Sequence, residues 1–85
     1  MNNNNTENAM YNVKDANGID KFLCINGRDW LIEKIEQSED CVYVTCGTRC
    51  YYKIVPFMRE DWVLMNRCGR IEIECDGTFT RFELV

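Results

Sequence analysis

The side chains best equipped for chemistry in this chain are its six cysteines, Cys24, Cys41, Cys46, Cys50, Cys68 and Cys75. Converging thiolates hold zinc, and a four-cysteine site usually draws its ligands from paired C-x2-C knuckles. No C-x2-C occurs here. The closest neighbours are separated by four residues (Cys41 and Cys46), three (Cys46 and Cys50) and six (Cys68 and Cys75). That spacing favours reduced cysteines used as small apolar side chains, and no metal or other cofactor is expected. Were a metal bound, Cys46 and Cys50 would be the first ligands to examine. A cysteine nucleophile needs a nearby cation to lower its pKa, and Cys50 beside Arg49 is the weak candidate for one.

Other catalytic sets are missing. The chain contains no histidine, which removes Ser-His-Asp and Cys-His sites and imidazole bases. No glycine-rich phosphate loop is present. Glu60 and Asp61 are sequence neighbours in a turn-like stretch, which does not make a catalytic carboxylate pair. The chain is therefore read as non-enzymatic.

Binding residues are the remaining candidates. The net charge is −4, with acids grouped at Glu33, Glu36, Glu39 and Asp40 and again at Glu60 and Asp61. Lysines and arginines are scattered, with no basic stripe of the kind a nucleic-acid backbone needs, so nucleic acid is not an expected partner. Phe79, Tyr43 and Tyr51 are predicted to face outward, and exposed aromatics mark protein interfaces. Trp30, Trp62, Tyr52, Phe22, Phe57 and Phe82 are predicted to be core.

These assignments depend on the elements that carry the residues. The first residues, "MNNNNTEN", are polar and of low complexity. Residues 1–9 are expected to be disordered, and 10–85 to form one small domain. Turn signals then recur every eight to twelve residues, the spacing of an all-β fold. Strands are predicted near 19–25, 29–36, 41–46, 50–56, 62–66, 70–75 and 78–84, with another short one near 10–14. Two of these segments also read as helix. "DWLIEKIEQSE" has Asp29 as an N-cap, and "PFMREDWVLMN" places Met58, Trp62 and Met65 on one helical stripe. The strand reading is preferred for most of both, with a short helical turn allowed around 57–61.

Three hairpins carry registers. Asp76-Gly77 is a favoured two-residue turn. It pairs Cys75 with Thr78, Glu74 with Phe79, Glu72 with Arg81 and Arg70 with Glu83, and puts Ile71, Ile73 and Phe82 on one face. In "CVYVTCGTRCYYKIV" a three-residue turn pairs Cys46 with Cys50, Val44 with Tyr52 and Val42 with Ile54. Tyr52, Ile54, Cys46, Cys50 and Cys75 then face inward, with Tyr43, Tyr51 and Lys53 outward. In the first hairpin a three-residue loop sets Lys21 against Glu33 and Asp20 against Lys34, with other registers left open.

The expected fold is all-β, mainly an antiparallel meander. Five to seven short strands close most easily into a small barrel. The order of strand, acidic turn, strand, tight turn, strand and Pro-aromatic turn is similar to that of an SH3-like barrel.

The expected function is stoichiometric binding to another protein, as an inhibitor or adaptor, including a phage-type one directed at a host protein such as a nuclease. Phe79, Tyr43, Tyr51, Glu36, Glu39 and Asp40 are the binding candidates. Three alternatives remain. One is a cysteine-zinc domain. Another is an acidic nucleic-acid mimic using 33–40 and 60–61. The third is a nucleic-acid-binding barrel that stacks bases on Tyr43 and Tyr51 beside Lys53. Self-association is left open. No apolar run approaches the length of a membrane span and no signal peptide is evident, so a cytoplasmic location with reduced cysteines is expected.

Overall fold

The structure, a computed structural model, describes residues 9–85; the expected disorder of the leading residues falls almost wholly outside them. Among the described residues the main elements follow in chain order: β1 (Phe22–Ile25), β2 (Arg28–Gln37), β3 (Cys41–Gly47), β4 (Tyr52–Met58), α1 (Arg59–Cys68), β5 (Arg70–Cys75) and β6 (Thr78–Leu84). They form one antiparallel sheet in the order β4-β3-β2-β1-β6-β5. The meander is therefore present, but β4 and β5 do not pair, and the expected closure into a barrel is not made. Instead α1 runs from one edge strand to the other and touches β3, β4, β5 and β6.

Each hairpin follows its turn chemistry. Asp76 and Gly77 both take positive φ, 53° and 80°, and the β5–β6 register is the one read from the sequence, from Cys75 against Thr78 to Arg70 against Glu83. Asn26 and Gly27, at 49° and 87°, make a second turn of the same kind. It is a two-residue turn, so Ile25 faces Arg28 and Phe22 faces Leu31, one residue away from the predicted register. Phe22 accordingly lies half-buried on the outer face rather than in the core.

The β3–β4 hairpin differs most. Val44 pairs with Val55, Val42 with Phe57 and Cys46 with Lys53, a shift of three residues. The cause is Thr48, whose Oγ1 accepts from the N–H groups of both Cys50 and Tyr51. Its own N–H donates to the Tyr51 carbonyl at 2.7 Å. This closes a longer turn over 48–51. An odd shift exchanges the faces of a strand. Val55 and Phe57 point in, and Tyr52 and Ile54, predicted as core, point out. Cys50 is exposed in the turn, so it neither faces inward nor pairs with Cys46, and Cys75 is exposed at the end of β5.

A bulge at Glu33, between Ile32 and Lys34, lets Ile32 and Ile35 both face inward along β2. The predicted strand at 62–66 is part of α1. Pro56 stays in β4, and the helical stripe is fulfilled by Trp62 and Met65, both fully buried. Phe57 packs between the Trp62 ring at 5.4 Å and the Phe82 ring at 4.9 Å. Gly69, at φ 90°, ends the helix by donating its N–H to the Met65 carbonyl, the usual left-handed stop. The predicted strand near 10–14 is reduced to one bridge, Lys14 with Asp20. The Met10 carbonyl nearby accepts from the Trp62 indole at 3.1 Å, tying this segment to the helix.

Candidate functional site: the outer face of the β3–β4 hairpin

The sheet has an inner face under α1 and an outer face away from it. On the inner face the β3–β4 hairpin buries Val42, Val44, Cys46, Val55 and Phe57. Alternation sends the intervening side chains outward. Tyr43 lies against Pro56, Thr45 against Ile54 and Cys41 against Met58. Tyr52 is 74% exposed, Ile54 59%, Met58 50% and Tyr43 40%. Single exposed hydrophobics are ordinary, but a contiguous set marks a binding surface.

β4 is an edge strand, and its hydrogen bonding shows which groups are free. Just beyond the strand, the Arg59 N–H donates to the Asp40 carbonyl at 2.9 Å. Residues of an antiparallel pair alternate between bonded and non-bonded positions. Hence Lys53, Val55 and Phe57 bond to β3, while the backbone groups of Tyr52, Ile54 and Pro56 face the open edge. Proline, lacking an N–H, fits only such a position. By the same alternation Met58 also faces the open edge, which is left with Tyr52, Ile54 and Met58 as strand donors; the gap at Pro56 blunts it against strand addition. The side-chain face is therefore the more usable surface.

At its Met58 end the strip runs into an open depression of about 710 Å³ between the β2–β3 turn and α1. Met58, Val63 and Leu64 supply its apolar lining, and Glu39, Asp40, Glu60 and Asp61 most of its polar lining. Two acidic groups some twenty residues apart in sequence thus meet on one surface. Glu60 and Asp61 occupy the first turn of α1, where the helix dipole favours acids. Glu39 and Asp40 have no such local reason.

The remaining predicted site residues separate. Phe79 is exposed as predicted, at 62%, but β2 and β1 lie between its strand and the Tyr43 patch. Tyr51 is exposed in the turn, outside β4, and does not form a platform with Tyr43. Glu36 is the exception: it pairs directly with Tyr43 across β2 and β3 on the outer face, with Lys34 3.3 Å from its carboxylate, though it does not line the depression. Lys53, predicted to point outward, lies 4.4 Å over the Trp30 ring on the inner face. Sequence reasoning missed Tyr52, Ile54 and Met58. The signal available was Thr48, whose capacity to cap its own turn lengthens the loop.

The cysteines do not gather. No three metal-ligating side chains converge among the described residues. Cys46 is fully buried, and desolvation pushes its thiol above the ordinary 9.0. The Cys24 thiol is pushed up too, first by desolvation and then by its hydrogen bond with Asp29. Neither is poised as a thiolate. No helix among the described residues is long and apolar enough to cross a membrane. No family model, curated protein or solved structure matches the chain.

Proposed function

We propose that this chain is a non-enzymatic protein-binding module that docks its partner on the outer face of the β3–β4 hairpin, acting as a stoichiometric inhibitor or adaptor. One observation supports the reading: Tyr43, Tyr52, Ile54, Pro56 and Met58 form a contiguous exposed apolar strip on the outer face of the β3–β4 hairpin. The backbone that carries these side chains is already ordered as strand, so a partner that covers them orders side chains and not a loop. Tyrosines supply large contact areas of the kind that dominates binding energy.

The test compares wild type, Ile54→Asp and Phe79→Ala as baits in quantitative affinity capture, after circular dichroism has shown all three folded. A partner held in one-to-one amount by wild type and Phe79→Ala but lost by Ile54→Asp is the expected result. Retention of that partner by Ile54→Asp, or its loss from Phe79→Ala alone, would move the interface off this face.

A further inference from the structure

The strip is apolar throughout β4, but its surroundings are not neutral. At the Met58 end the depression carries four carboxylates, from Glu39, Asp40, Glu60 and Asp61, against the guanidinium groups of Arg59 and Arg67. The floor between them is apolar, with Met58 and Leu64 about half exposed. An occupant that fills this floor must place something beside the carboxylates. With four carboxylates against two guanidinium groups the lining is net acidic, so an apolar or acidic group placed beside Glu39 and Asp40 would strip water from those charges without compensation, which is costly. A lysine or arginine flanking an apolar side chain gains both the apolar contact and a charge-assisted hydrogen bond.

Charge also argues against a second copy of this chain as occupant. Two molecules of net charge −4 repel each other, and Pro56 denies an edge-to-edge dimer one donor on each strand. From this complementarity we infer that the partner is a protein whose docking segment carries an apolar anchor flanked by lysine or arginine, with the anchor on Met58 and Leu64 and the cation toward Glu39 and Asp40. The inference rests on the proposed binding face and adds the chemistry of what lies on it.

A phage-displayed library of random linear peptides supplies the test. It is panned against wild-type protein with subtraction on Ile54→Asp, and selected peptides are synthesised for titration. Enriched sequences should pair an aromatic or aliphatic residue with nearby lysine or arginine. Their affinity should fall about tenfold for the Glu39→Lys, Asp40→Lys double variant and fall with added salt. Both residues are exposed, and the bond from the Arg59 N–H goes to the Asp40 backbone carbonyl, which the substitutions leave in place; circular dichroism of the double variant checks that it is folded.

Each other outcome counts against a stated part. Peptides that need Ile54 but show no basic preference, or bind the double variant equally well, overturn the partner chemistry and leave the binding face standing. Failure to enrich any peptide dependent on Ile54 counts against both. A wild type that sediments as a dimer, with Ile54→Asp monomeric, replaces the basic partner by a second copy.

Discussion

Single residues decide the β3–β4 hairpin. Gly47 is one of them. A Cβ there would sit 3.0 Å from Glu33 Oε2 and 3.2 Å from the Tyr51 carbonyl oxygen. The carboxylate is the end of a flexible chain and can move, but the backbone oxygen cannot move cheaply. Gly47→Ala should therefore cost about 1–3 kcal/mol, the usual range for overpacking, and removing the Glu33 side chain as well should recover only part of it. Urea titration of both variants measures this. By contrast, Ile54→Asp changes an exposed side chain on a residue whose backbone groups face the open edge, so the bonds of β4 to β3 are untouched. Its stability should stay within about 1 kcal/mol of wild type, the span of strand propensities.

The thiols give a second residue-scale prediction. Cys50, Cys68 and Cys75 are exposed, whereas Cys24 and Cys46 are buried. The exposed three should react with a thiol reagent quickly, and the buried two at the rate of unfolding. Burial raises the pKa of Cys24 and Cys46 in the folded state above 9.0. The stability linked to these protonated thiols is fully present below that value and is lost as pH rises through their folded-state values. Melts across the alkaline range should show the decline, and Cys46→Ala, at its cost in packing, should flatten it.

At the scale of elements, the hairpins and the helix obey different controls. The β5–β6 register is local: a turn demanding positive φ at Asp76 and Gly77, with opposite charges facing across it at Glu72 and Arg81, leaves one workable alignment. That is why it was legible from the sequence. α1 is not local in this sense. Its residues suit strand or helix, and the choice falls to helix because Trp62 and Met65, three apart, both reach the core only on a helical stripe. Met65→Ala should open a cavity under the sheet and cost about 2–5 kcal/mol, measurable by denaturation. Open-edge backbone groups offer another check on the elements. The Tyr52 and Ile54 amides should exchange with deuterium faster than those of Lys53, Val55 and Phe57, which bond to β3.

For the whole molecule, the arrangement concentrates the core at the centre of the sheet and leaves the β4 side with an uncovered face. Leu23, Ile32, Val42, Val44 and Phe57 are almost completely buried, while the outer side chains of β4 are open. The strand-rich meander, the β5–β6 register and the burial of Trp30, Trp62, Phe57 and Phe82 follow from the order of residues alone, because turn geometry and alternation act over a few residues. The same order shows Phe79 and Tyr43 to be outward-facing. That the sheet stays open, with α1 bridging its edges, emerges with the packed fold, since closure depends on strands distant in sequence. The same holds for the surface that matters most. A capped turn at Thr48 reverses which β4 residues are exposed, and the packing of α1 beside the β2–β3 turn joins two separate acidic groups to the apolar strip. A linear pattern records neither, because both arise from through-space contacts.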